Sequence, residues 1–198
     1  MQKTLKSEIV AEGVGIHSGV RVHVKIYPAE ANSGITFKRV DIPNATLLYA
    51  TYDNISNTQL ANVLGSGENS VSTIEHIMST FNALGVDNAH IEIDGPEFPI
   101  MDGSSLPWVE KITEVGLEEQ NAPRTFLKII KTVSYEDDKG RGCELTPFSD
   151  GLKISFYASR VEPIIGEQRM ELVLSPTAYK NNIANSRSPT ALKDVEML

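Results

Sequence analysis

The sequence predicts an α+β fold of two domains with similar plan, the second of them incomplete. Three observations carry this reading. Side chains alternate with period two over the first forty positions, change to a helical period from Ser72, and return to period two after a polar stretch near residue 120. The order is strands, helix, strand, helix, then strands and helix again, which is the pattern of an α+β protein. The last helical pattern, Ala191 to Leu198, stops without a cap.

The elements follow in order. Thr4 to Val10 is a weak strand. Arg21 to Tyr27 alternates strictly, with Val22, Val24 and Ile26 on one face, and Gly34 to Val40 repeats the pattern. Pro28 and Ala31 to Gly34 separate the two. Ala45 to Tyr52 is expected to pair with Leu60 to Leu64, and Gly65 to Asn69 is a loop. Ile74, Ile77, Met78, Phe81 and Leu84 form the apolar stripe of a helix that Gly85 ends. Asn88 to Asp94 is a strand, Gly95 to Pro99 a stiff loop, and Ser104 to Val115 a second helix that Gly116 ends. The first domain is 1–120. Residues 121–125 form a linker, expected from the polar, Pro123-containing stretch Glu118 to Arg124. The second domain, 126–198, holds strands at Phe126–Tyr135, Gly142–Thr146, Leu152–Tyr157 and Gln168–Leu174, then a helix at Pro176–Ile183.

Composition narrows the functions. The chain has 198 residues, 40% hydrophobic and 22% charged, ordinary values for a soluble globular protein. A net charge of -8 argues against sequence-independent nucleic-acid binding, which needs a basic face. Cys143 is the single cysteine, so no internal disulfide forms; it reads as structural and fits a reducing cytoplasm. The first seven residues lack an apolar core, so no secretory signal is expected, and no apolar run approaches the about 20 residues that span a bilayer.

The chemistry concentrates at Ser72-Thr73-Ile74-Glu75-His76. Ser72 and Glu75 have capping-box spacing, so Glu75 has a bland reading as a helix cap. Its functional reading is a general base beside a bound metal. His76 lies about 100° round the helix from Glu75, so both can face one pocket; a lone helical His is more often a packed or surface residue. A catalytic zinc needs about three protein ligands, and this chain has four His, none beyond His90. His23 and His90 sit on polar strand faces. His17 lies in the glycine-rich Gly13–Gly19 turn, which no helix follows and which reads as a hairpin connection. Asp102 either caps the turn before the second helix, with Gly103 free to take positive φ, or stands near the first helix start.

Thr4-Leu5-Lys6, Gly13–Gly19, Ser72–His76, Gly85–Asn88 and Pro99–Ser104, in this order and spacing, resemble the UDP-3-O-acyl-N-acetylglucosamine deacetylases. These are the cytoplasmic zinc amidases that commit Gram-negative bacteria to lipid A synthesis. The resemblance covers nearly all of 1–120, thins afterwards and returns at Lys193–Leu198. It implies two β-α-α-β domains of the ribosomal protein S5 domain 2-like kind, packed as a sandwich with the active site between them. It implies Zn2+ as cofactor, His76 as a zinc ligand, Glu75 as general base, and Asp102 as a supporting residue of the site. Ser188 stands where the family has a Thr that contacts the oxyanion. The implied substrate is UDP-3-O-acyl-N-acetylglucosamine, with no nucleic acid and no transmembrane segment; oligomeric state is left open.

The family's other zinc ligands, from a His-Lys-x-x-Asp motif, and its second catalytic His have no counterpart here. The chain as it stands is therefore expected to bind zinc negligibly and not to turn over. It is also expected to expose apolar surface and an unpaired sheet edge in the second domain. Two other classes remain: a non-catalytic binding or regulatory module on the same fold, and an unrelated protein of the same superfold.

Overall fold

A computed structural model of the chain describes residues 1–160 and 165–187. The described residues are mixed α and β, as expected, and separate into two compact units. One comprises Met1–Pro123 with the segment from Ser175 onward, and the other Arg124–Leu174.

The first unit opens with β1 (Lys3–Leu5), β2 (Ile9–Val14), β3 (Arg21–Pro28), β4 (Ile35–Arg39) and β5 (Leu48–Tyr49). Three short strands follow, β6 (Ile55–Asn57), β7 (Val63–Ser66) and β8 (Asn69–Val71). Then come α1 (Glu75–Leu84), β9 (Ala89–Ile93), α2 (Leu106–Val115) and β10 (Leu117–Glu119). The main sheet has the order β2-β3-β9-β4-β5, and β4 and β9 are its parallel pair. Its alternation places Val22, Val24, Ile26, Phe37, Ile91 and Ile93 on one buried face. Ile77 and Phe81 of α1 and Trp108 and Ile112 of α2 join the same core, with Phe98 tilted against Trp108 at 4.9 Å between ring centroids. Each fully buried aliphatic or aromatic side chain of this kind contributes about 1.5–3 kcal/mol.

Several expectations shift. The weak strand at Thr4–Val10 is two strands, because β1 leaves the main sheet to pair with β10. That pairing places Glu118 and Glu119 in a strand, so the polar stretch is not linker from its start. The two-residue β5 pairs with β4, and β7 pairs with β6 and β8, so Ala45–Tyr52 does not pair with Leu60–Leu64. The helix expected at Pro176–Ile183 is present as α3 (Pro176–Asn182), which Ser175 caps by accepting the Ala178 amide at 3.1 Å. It packs on α1: Tyr179 is 2% exposed and its hydroxyl shares a hydrogen bond with Ser79 Oγ at 2.7 Å. It belongs with the first unit, not with the strands before it.

The second unit holds two antiparallel hairpins, β11 (Val133–Glu136) with β12 (Gly142–Leu145) and β13 (Lys153–Ser159) with β14 (Glu167–Val173). Only the end of the expected Phe126–Tyr135 strand forms. Phe126, Leu127, Ile130, Tyr135, Phe156 and Tyr157 are exposed. Cys143 is also exposed, so it holds no core position and the structural reading fails. Among the described residues no helix is long and apolar enough to cross a membrane. The helix expected at Ala191–Leu198 lies outside the described residues.

Candidate active site

Glu75 and His76 are the first two residues of α1, and both are half-buried. The helix start is not the expected capping box. Ile74 occupies the cap position with no side-chain hydrogen bond, and the Ser72 hydroxyl donates instead to the Pro96 carbonyl at 3.3 Å. The reason lies one residue on. Thr73 has φ +59°, a left-handed conformation that a β-branched residue rarely takes. That turn carries Ser72 away from the helix and leaves Glu75 at its first position.

Glu75 Oε2 accepts the backbone amide of Asn62 at 3.1 Å. Among the described residues its other oxygen has no hydrogen-bond partner. A carboxylate in the first turn is also favoured by the positive end of the helix dipole. The His76 carbonyl is held by hydroxyls donated from Thr80 at 2.8 Å, Ser79 at 2.9 Å and Ser105 at 3.4 Å. The last of these ties α1 to Ser105, the cap residue just before α2.

Asp102 caps a turn, as one of its two readings expected. Its Oδ1 accepts the Ser104 amide at 3.0 Å and the Ser104 hydroxyl at 2.7 Å, with Gly103 at φ +87°. Met101, just before it, is also left-handed at φ +57°. Arg187 grips the same residue twice, its Nε donating to the Asp102 carbonyl at 2.7 Å and its terminal nitrogen to the carboxylate. The Ser104 hydroxyl first, then the Ser104 amide and Arg187, hold the Asp102 carboxyl below its ordinary value against desolvation. Ser188 lies outside the described residues, one peptide bond beyond Arg187.

The other histidines behave differently. His17 lies in the turn joining β2 to β3, closed by the Gly15 amide on the Val20 carbonyl at 3.0 Å. His23 is exposed but not merely solvated: its Nδ1 lies 2.7 Å from Asp94 and its Nε2 3.5 Å from Glu12. His90 stacks on Tyr27 and meets Thr36 Oγ1 at 2.9 Å, and burial lowers its pKa. Among the described residues no three His, Cys, Asp or Glu side chains group as metal ligands would.

Three residues escaped the sequence reading. Arg187 has no distinguishing pattern. Thr73 gives a misleading one, because β-branching argues against positive φ. Glu97 was legible in part, as a charge between Pro96 and Phe98 in a loop otherwise apolar.

Across residues 2–198 the chain matches the family described as LpxC, UDP-3-O-acyl N-acetylglycosamine deacetylase, and it belongs to that family. Among curated relatives, it is 40% identical over 199 residues to a protein of Acidithiobacillus ferrooxidans named UDP-3-O-acyl-N-acetylglucosamine deacetylase. Proteins of the same name from Methylococcus capsulatus and Thioalkalivibrio sulfidiphilus are 38% and 40% identical to it. In each case the match covers 100% of this chain and 65% of the relative. The chain thus spans just under two thirds of the length of these relatives.

Proposed function

We propose that this chain carries the Glu-His corner of a zinc-dependent amidohydrolase acting on UDP-3-O-acyl-N-acetylglucosamine in lipid A biosynthesis. The reaction breaks the amide C–N bond of the N-acetyl group, adds water to the carbonyl carbon, and releases acetate and the free amine. The supporting observation is that the family match runs through Glu75 and His76 and that both stand together at one helix start. The same reading places the protein in the cytoplasm of a Gram-negative bacterium.

Glu75 is the general base in this proposal. Asn62 fixes one oxygen, which leaves the other to take a proton from the attacking water and pass it to the leaving nitrogen. Asp102 organises its turn and, through Arg187, holds the chain that leads to Ser188, the proposed oxyanion contact. The described residues do not on their own fit a zinc ion. His76 offers one imidazole where about three protein ligands are needed, and no other grouping supplies them.

The test measures zinc content and acetate release from UDP-3-O-acyl-N-acetylglucosamine. It uses this chain and the same chain completed to its relatives' length with the remaining third of the Acidithiobacillus ferrooxidans protein. Zinc and turnover in the completed protein support the proposal. Neither zinc nor turnover in the completed protein would favour a non-catalytic module without metal.

A further inference from the structure

Glu97 is 1% exposed, which for a carboxylate is costly unless every lone pair is used. Here donors converge from two other segments. The His17 amide donates at 3.0 Å to Oε1, the Ser18 amide at 2.7 Å to Oε2, and the Thr73 hydroxyl at 3.0 Å to Oε1. Desolvation pushes the carboxyl up, but the His17 amide, the Ser18 hydroxyl and amide, and the Thr73 hydroxyl outweigh it and hold Glu97 ionised. The backbone runs alongside: the Ser72 amide donates to the Pro96 carbonyl and the Phe98 amide to the Ser72 carbonyl, both at 2.9 Å. The Ile100 amide reaches the Val14 carbonyl at 3.1 Å. One carboxylate thus joins the Gly15–Gly19 turn, the residues before α1, and the loop that leads to Asp102.

Anchoring a turn alone would not need a buried charge. The carboxylate also accepts the hydroxyl of Thr73, whose left-handed conformation costs about 1–2 kcal/mol for a non-glycine residue. Such strain persists only where the surroundings enforce it, and it collects at functional sites. Thr73 is two residues before Glu75 and three before His76, so its φ sets the direction from which the chain enters α1.

We propose that Glu97 is a positioning residue, whose buried carboxylate holds Thr73 left-handed and so aims Glu75 and His76 from the start of α1. The proposal rests on the deacetylase reading of that pair. Its test has two arms. Backbone amide and histidine-ring resonances are recorded on this chain, and kcat and KM are measured on the completed protein. The variants in both arms are Glu97→Gln, Thr73→Ala and Thr73→Ser. Glu97→Gln and Thr73→Ala are expected to move the Glu75 and His76 resonances as well as those of His17 and Ser18. They are expected to lower kcat ~10- to 100-fold with KM held, as a small misplacement of reacting groups does. Thr73→Ser keeps the hydroxyl and restores both readouts. If Glu97→Gln does not fold, Thr73→Ala decides, since it leaves the carboxylate its two amide donors.

Glu75 and His76 resonances unmoved in the variants, or resonances that move with kcat unchanged, overturn the proposal. Absence of turnover in the unsubstituted completed protein would defeat the deacetylase reading instead. The resonance arm would still show whether Glu97 orients the pair.

Discussion

Replacing Gly15 by Ala tests the carboxylate junction without touching any charged group. A Cβ built at Gly15 would lie 2.3 Å from Glu97 Oε2 and 2.4 Å from Ser18 Oγ. Gly15 does not have positive φ, so the conflict is steric and not torsional. The carboxylate cannot yield cheaply, because the amides of His17 and Ser18 and the Thr73 hydroxyl fix it. Overpacking costs about 1–3 kcal/mol, and losing one hydrogen bond to a charged group about 1.5–3 kcal/mol. The entropy that Ala removes from the unfolded chain returns about 0.4–1 kcal/mol. The net expectation is a loss of about 2–5 kcal/mol. Gly19, in the same turn, is the control. A Cβ there meets nothing within 4 Å, but φ is +65°, so Gly19→Ala costs only the left-handed penalty of about 1–2 kcal/mol. Trp108, the single tryptophan and 0% exposed, reports unfolding of the first unit alone in a urea titration. A Gly15→Ala protein within about 0.5 kcal/mol of the parent, or less affected than Gly19→Ala, would refute the junction as described.

Acid should act through the same group. Because the Glu97 pKa is lowered on folding, its stabilisation is fully present above the ordinary value of 4.5 and is lost as pH falls below it through the folded value. Urea midpoints measured across that window should fall more steeply for the parent than for Glu97→Gln, which cannot titrate there. Equal slopes would show that other carboxylates carry the acid response. Tyr179→Phe removes the hydroxyl shared with Ser79 and is expected to cost about 1 kcal/mol by the same titration, since Ser79 keeps its bond to the His76 carbonyl. Arg187→Ala breaks a pair whose side chains are 54% and 42% exposed, so stability should fall by no more than about 1 kcal/mol. Turnover of the completed protein should fall by more than this loss of stability accounts for.

Side-chain periodicity made much of the fold legible. The alternation of Val22, Val24 and Ile26, and the stripe of Ile77, Phe81 and Leu84, each bury one face against a common core, so pattern and packing agree. Pairing partners were not legible, because β1 and β10 meet across more than a hundred residues and nothing local marks that register. The Glu75-His76 pair and the Asp102-Gly103 turn could be read from motif and turn chemistry. The route by which Glu75 reaches the first position of α1 could not, since it runs through a threonine in a conformation its type disfavours, whose hydroxyl bonds a carboxylate twenty-four residues later. The capping-box spacing of Ser72 and Glu75 was satisfied in sequence and refused in structure for that reason.

The proposed catalytic role of the α1 start is open to a direct test. Acetate release from UDP-3-O-acyl-N-acetylglucosamine is followed for the completed protein and for its Glu75→Ala variant. If Glu75 is the general base, the parent turns over and the variant loses ~10²–10⁴-fold in kcat, the range for removing such a group. A variant that turns over as fast as the parent would contradict it.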